Sequence, residues 1–262
     1  MIKIAIAGAA GRMGRRIAAL AMQAGSFQIV SATEAPASEF IGQDLGQLAG
    51  EGNSGLKISG EITPKPDVLI DFSTPRGTEK NLDVCCKSGI AMVIGTTGLS
   101  PAQQSMVAKA AGTIPIIQAA NYSVGVNVLL GVVGQVAKLL GEDYDIEISE
   151  IHHRFKKDAP SGTALALAKA ICSATGKDME KTLVHGREGN SPRQQGEIGM
   201  HALRVGDTVG EHSVCYGSLG ETITISHSAH TRDTFARGSL RSASWLAGKP
   251  AGLYTMKDVL GL

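Results

Sequence analysis

The feature that most constrains this chain is a regular alternation of short apolar runs with helix-length segments, sustained up to about residue 123. "IKIAIAG", "FQIVSATE", "LKISG", "PDVLIDFS", "IAMVIGTTG" and "IPIIQAAN" each read as a strand. Most are apolar almost throughout, the pattern of strands covered on both faces. Between them lie amphipathic stretches with clear stops. One runs from Gly11 to about Gly25 with Met13, Ile17, Leu20 and Ala21 at helical spacing. Another starts at Thr74 with Pro75 in its first turn and ends at Gly89. A third opens on Ser100-Pro101-Ala102-Gln103, a capping box, and ends at Gly112. Strand, helix and strand joined by short connections predict an α/β, Rossmann-type doubly wound parallel sheet.

The pattern changes after residue 123. "VNVLLGVVGQVAKLL" predicts a long helix, "YDIEISEIHH" a half-buried strand, and Ser161 to Thr175 a second helix. "EIGMHALRV", "GEHSVCYGS" and "ETITISHSA" follow as strand candidates, the last two separated by a glycine turn. We therefore expect a smaller α+β domain over 124–232 for substrate binding and oligomerisation. The helix "TFARGSLRSASWLAG" and the tail (233–262) are expected to return to the first domain, 1–123.

Charge and cysteine content narrow the function. A net charge of +1 and a pI near 7.7 argue against a nucleic-acid surface or a polybasic membrane patch. No apolar run reaches the roughly 18 residues that span a bilayer. Cys85, Cys86, Cys172 and Cys215 have neither CxxC spacing nor disulfide-scaffold density, which fits a reduced, cytoplasmic protein. His185, His201, His212, His227 and His230 are scattered without metal-ligand spacing, so no metal is expected and these side chains read as structural or exposed.

Against this neutral background two segments carry chemistry. In "AGAAGRMG", Gly8, Gly11 and Gly14 follow the first strand and open a helix, with Ala9 where the first glycine of a GxGxxG turn would stand. Such a turn lets helix amides face a dinucleotide pyrophosphate. Glu34 ends the second strand, twenty residues past Gly14, where a carboxylate accepts from ribose hydroxyls. Ala35 follows it, so no arginine stands there for a 2′-phosphate. Arg12, Arg15 and Arg16 remain as alternative partners for that group, and NADH is favoured over NADPH only as a preference. "GTTG" (from Gly95) and "AANYS" (from Ala119) end later strands, where parallel sheets bind ligands.

The second segment is "EIHHRFKKDAPSGTAL". The apolar phase of the preceding strand slips at Ile151, which predicts a bulge or the strand's end. His152, His153, Arg154, Lys156 and Lys157 then form a local anion trap. Ser161 caps a helix whose Gly162 and Thr163 amides suit a carboxylate. If Glu150 shares a strand face with His152, it is placed to orient that imidazole.

Taken together, "GAAGRMG", "DFSTPRGT", "GTTG", "AANYSVGVN", "EIHHRFKKDAPSGTAL" and "WLAGKPAGLYTMKDVL" resemble the 4-hydroxy-tetrahydrodipicolinate reductase (dihydrodipicolinate reductase) family along essentially the whole chain. The resemblance implies reduction of a cyclic imine dicarboxylate by NADH or NADPH, with loss of water, in lysine and diaminopimelate synthesis, by a homotetramer. Carried over by position, Gly8, Ala9, Ala10, Gly11, Arg12 and Met13 would cradle the pyrophosphate and Glu34 the ribose. Gly95, Thr96, Thr97, Ala119, Ala120, Asn121 and Tyr122 would also contact the cofactor. His152 would donate a proton, with Lys156 as a second donor. His153, Gly162 and Thr163 would hold the substrate carboxylates, and a dianion there should raise the histidine pKa. Two other readings remain: a different amino-acid or sugar dehydrogenase on the same fold, or a nucleotide-sensing regulator without turnover.

Overall fold

A computed structural model describes residues 1–262. The chain divides into two compact units, residues 1–124 with 232–261, and residues 125–231 with Leu262. In chain order the first unit holds β1 (Ile2–Ala7), α1 (Arg12–Ala24), β2 (Phe27–Thr33), α2 (Leu45–Ala49), β3 (Val68–Asp71), α3 (Pro75–Ser88), β4 (Ala91–Ile94), α4 (Pro101–Ala110) and β5 (Pro115–Gln118). The second unit follows with α5 (Val124–Leu140), β6 (Asp145–His152), α6 (Gly162–Thr175), α7 (Met179–Thr182), β7 (Leu183–His185), β8 (Ile198–Arg204), β9 (Gly210–Ser218) and β10 (Glu221–Ala229). The chain ends in the first unit with α8 (Asp233–Leu246), β11 (Gly252–Tyr254) and α9 (Met256–Leu260).

The first sheet has the order β11-β5-β4-β3-β1-β2 with every pairing parallel. Alternate residues of its strands enter opposite cores. Ile4, Ile6, Val68, Ile70 and Val93 pack on one face, and Ala5, Ala7, Leu69, Met92 and Ile94 on the other. That period of two explains why these strands read as unbroken apolar runs. The order reverses between β1 and β3, which makes the carboxyl ends of those strands the switch point where such sheets bind ligands. The capping box at Ser100 forms as read, with Gln103 Oε1 accepting from the Ser100 N–H at 2.9 Å.

Two local expectations are corrected. "LKISG" makes no strand: only Ser59 bridges Thr33 and Lys57 bridges Asp44. Its Ile58 is buried in the core beside Leu45 of α2, so its apolar residues serve packing rather than a ladder. The sheet's sixth strand is instead β11, whose three residues are too few to give a period in the sequence.

In the second unit the order is β10-β9-β6-β8-β7; β9 runs antiparallel to β10 and β6, and β8 parallel to β6 and β7. Ile146, Ile148, Ile198, Met200, Val214 and Tyr216 face Leu129, Val133, Leu167 and Ile171 from helices α5 and α6. Tyr216 donates its hydroxyl to the Val133 carbonyl at 2.7 Å, which satisfies a buried polar group. No helix is long and apolar enough to cross a membrane.

Candidate active site

The glycine turn sits at the switch point of the first sheet. Gly8 has φ +74, a conformation L side chains rarely adopt, and a Cβ there would lie 2.5 Å from the Phe72 carbonyl oxygen. A Cβ on Gly14 would lie 2.1 Å from the Gly8 carbonyl oxygen. These glycines therefore let β1, α1 and the end of β3 meet backbone to backbone. Helix α1 starts at a Gly11 cap that provides no side-chain hydrogen bond, so its first-turn amides, Arg12 and Met13 among them, receive no capping oxygen from it. The Ala10 N–H donates to Glu34 Oε1 at 2.8 Å, which anchors that carboxylate at the turn. A cleft of about 900 Å³ opens here, lined by Gly8, Gly11, Thr33, Glu34 and Ala35, with Arg76 and Lys80 contributed by α3. The uncapped first turn of α1, beside an acid at the end of β2, fits a dinucleotide.

The ends of β3 and β4 are joined through Asp71, whose partners Ser73 and Thr96 are small residues that follow these strands. Its side chain is 0 % exposed, and Oδ1 accepts from the Ser73 N–H (2.9 Å), the Ser73 hydroxyl (2.5 Å) and Thr96 Oγ1 (3.4 Å). Burial pushes this carboxyl above its ordinary range against the pull of Ser73. Its only sequence signal is an acid closing the apolar run "VLID". Gly95 packs against the Phe72 ring, Thr96 is buried, and Thr97 and Ala120 are exposed. Ala119 and Asn121 are half-buried, and Asn121 Oδ1 accepts from the Ser123 N–H at 2.9 Å. Tyr122 is 2 % exposed and donates its hydroxyl to the Ile94 and Ile117 carbonyls at 2.8 and 3.2 Å. The residue as a whole belongs to the core, with its carbonyl packed against Gly238 of α8, so the expected direct contact of Tyr122 with a cofactor is replaced by support from beneath.

The second unit assembles a charged cluster on the face of β6 that begins as core. Ile146, Ile148, Glu150 and His152 alternate onto one side, and β6 keeps an unbroken register with β8 and β9 through Ile151. Of the two expectations, the bulge is absent and the strand's end is found, one residue on at His152. The phase slips because a buried carboxylate, 1 % exposed, takes the place of a third isoleucine. It is tolerated there because every lone pair is engaged. Arg204 of β8 donates to both oxygens at 2.9 and 2.8 Å, the Ser161 N–H to Oε1 at 3.0 Å, and His152 Nδ1 lies 2.5 Å from Oε2. Burial alone would raise the Glu150 carboxyl; Arg204, His152 and Ser161 outweigh it and hold it low.

His152 is held below its ordinary pKa, chiefly by burial and further by Lys156 and Arg204, with Glu150 opposing. The rise expected from a bound dianion thus starts from a depressed value. His212 of β9 pairs with Glu150 across the ladder and sets its ring edge on His152, with centroids 5.1 Å apart. Burial depresses His212 to about 4, and the His152 charge pushes the same way. A Cβ on Gly210 would lie 3.0 Å from His152 Nε2, so β9 leaves that imidazole just enough room.

The cationic loop follows directly. Lys156 Nζ reaches both Asp158 carboxylate oxygens at 2.9 Å, which holds the Asp158 carboxyl below its usual range. His153 packs beside Phe155 and has a buried Nδ1 with no partner. Ser161 caps α6 through the Ala164 N–H at 3.1 Å, and a Cβ on Gly162 would meet nothing within 4 Å. Thr163 follows as the second residue of α6. The structure thus brings His152 beside the amino terminus of α6, with Gly162 and Thr163 at its start. Arg204 and His212 completed the cluster unseen: they stand some fifty residues away in sequence, and only strand pairing discloses them. No group of three or more His, Cys, Asp or Glu side chains is placed to hold a metal ion.

Comparison with known proteins extends over both units. The family model for the N-terminus of dihydrodipicolinate reductase matches residues 2–122, and the model for its C-terminus matches residues 125–260. The chain belongs to the dihydrodipicolinate reductase family. Its 4-hydroxy-tetrahydrodipicolinate reductase relatives include that of Citrifermentans bemidjiense, 49% identical over 266 aligned positions with 100% of each chain covered. Another, from Rubrobacter xylanophilus, is 48% identical over 260 positions, covering 99% of this chain and 98% of the relative. Among solved structures, a dipicolinate-bound dihydrodipicolinate reductase from Paenisporosarcina sp. TG-14 shares the fold, with TM-score 0.77, 24% identity and 97% of each chain covered. An amine dehydrogenase from Mycobacterium smegmatis shares it more distantly, with TM-score 0.64, 15% identity, and 97% and 95% covered.

Proposed function

We propose that this chain is an NAD(P)H-dependent reductase of 4-hydroxy-tetrahydrodipicolinate, yielding tetrahydrodipicolinate and water in lysine and diaminopimelate synthesis. The observation that carries the reading is the buried Glu150–His152 pair beside the uncrowded amino terminus of α6, in a chain nearly half identical to such reductases end to end.

The residues proposed to hold the dinucleotide are those at the carboxyl ends of the first sheet. Gly8, Ala9, Ala10, Gly11, Arg12 and Met13 face the pyrophosphate, and Glu34 accepts from the ribose. Gly95, Thr96, Thr97, Ala119, Ala120 and Asn121 line the nicotinamide end, and Tyr122 braces it from the core through the Ile94 and Ile117 carbonyls. NADH is the favoured form because Ala35 leaves Glu34 without an adjacent cation. When bound, the reduced nicotinamide supplies a hydride. No metal is required.

In the second unit, the Gly162 and Thr163 amides and His153 hold the substrate's carboxylates, where helix-end partial charge favours an anion. Reduction of the dehydrated, conjugated imine leaves negative charge that a proton on the neighbouring carbon removes. His152 holds that proton. Glu150 takes up Nδ1 and thereby aims Nε2, while Lys156 adds fixed positive charge and a second proton source. A bound dianion works against the depression that burial imposes, so ligand binding itself charges the imidazole.

The open edge of β10 and the exposed Leu219 and Ile223 beside it fit association into the homotetramer we propose for the cytoplasmic enzyme. The activity is tested by oxidation of NADH and NADPH with freshly generated substrate, made by a coupled synthase from pyruvate and aspartate semialdehyde. Rapid substrate-dependent oxidation is expected. Tight NADH binding without oxidation would replace the reductase with a nucleotide sensor.

A further inference from the structure

His212 has no part in the roles assigned above, yet it closes a ring of contacts around them. It is 4 % exposed, and its Nε2 lies 3.1 Å from the Ser161 hydroxyl. That hydroxyl already accepts from the Ala164 N–H, so its proton is free to be donated to His212. The Ser161 N–H donates to Glu150, Glu150 meets His152, and the His152 ring meets the edge of His212. The circuit passes through both the cap of α6 and the imidazole proposed as proton donor.

We propose that His212 is a positioning residue: as the acceptor for Ser161 it fixes the amino terminus of α6 relative to His152, so that a carboxylate on the helix end and the proton donor keep one spacing. The inference rests on the roles proposed for His152 and for that helix end. The groups acting on His212 are His152 and Glu150 of β6, His227 of β10 and Lys156 of the loop. A charged His212 would lose its free lone pair at Nε2 and set a second cation against His152. Burial opposes that state, and the charge of His152 opposes it further. His212 therefore stays neutral and sets no second positive charge against His152.

Plain core packing predicts something different. His212→Phe keeps a ring and removes the acceptor, whereas His212→Asn returns an acceptor without the ring. If His212 only fills space, Phe is the milder change. If it positions α6, His212→Phe raises the substrate KM about tenfold and moves the pH profile of kcat/KM by half a unit or more. NADH affinity then stays within about twofold, and His212→Asn recovers most of the substrate KM. A Phe variant with the parent's substrate KM and pH profile overturns the proposal, as does an Asn variant no better than Phe. Should both variants fail to fold, ¹⁵N shifts of the unaltered protein decide: His212 must stay neutral from pH 5.5 to 8, and titration above pH 6 overturns the assignment. A parent that binds NADH but does not turn over the substrate would instead remove the reductase reading, and the inference with it.

Discussion

The Glu150 carboxylate meets His152 Nδ1 at 2.5 Å, two residues away on the same face of β6. This contact selects the tautomer: in the neutral ring the proton stays on Nδ1, and Nε2 is the nitrogen that gains and gives a proton. Arg204 grips the same carboxylate from β8, so the imidazole is aimed by a charge that is itself held on two sides.

Replacing His152 by alanine removes the proposed proton donor and leaves the dinucleotide cleft untouched. Turnover should fall by about 10²–10⁴-fold. NADH affinity, read by fluorescence titration, should barely change. Unaltered turnover would take His152 out of the mechanism.

Glu150→Gln leaves Arg204 facing a neutral amide in a buried site, which costs about 3–5 kcal/mol by the precedent of broken buried pairs. Chemical denaturation at pH 7 measures it. The sign with pH follows from the depressed Glu150 carboxyl. Its stabilising effect is complete above the unfolded value of roughly 4.3 and is lost as pH falls through the lower folded value. The variant's stability should therefore fall less steeply than the parent's over that acid range.

Dicarboxylate binding should be accompanied by proton uptake. The unliganded His152 is held low by burial and by the Lys156 and Arg204 cations, and is therefore mostly neutral at pH 7. A dianion beside it favours the charged ring. Calorimetry of pyridine-2,6-dicarboxylate binding in buffers of different ionisation enthalpy should report a positive uptake. That uptake should disappear in His152→Ala. Equal heats in all buffers would contradict the mechanism.

Ala35→Arg should raise kcat/KM for NADPH relative to NADH by about tenfold or more, since a guanidinium beside Glu34 pairs with a 2′-phosphate. Arg76 and Lys80 line the same cleft, so the parent is expected to accept NADPH as well. Steady-state rates with both cofactors check this, and an unchanged ratio would show that the cation beside Glu34 does not set preference.

The fold was legible where a single residue's type constrains the backbone. Gly8 answers a positive φ, Ser100 and Gln103 cap each other, and the apolar runs of the first unit alternate between two cores. Short or two-purpose segments were not. "LKISG" has a strand's composition but buries Ile58 without joining the ladder. Gly252–Tyr254 joins the ladder with too few residues to show a period.

What the sequence determined by itself is the parallel sheet, the glycine turn with Glu34 at the next strand's end, and the cationic loop leading into a capped helix. Each depends on residues close together in the chain, where spacing and backbone preference act directly. Tertiary structure decided how the buried charge survives. Glu150 is stable inside only because Arg204 arrives from β8 and Ser161 turns its amide inward from the cap of α6, to join His152 on its own strand. Those partners are set by strand register over tens of residues, and a carboxylate in low dielectric requires all of its hydrogen bonds at once.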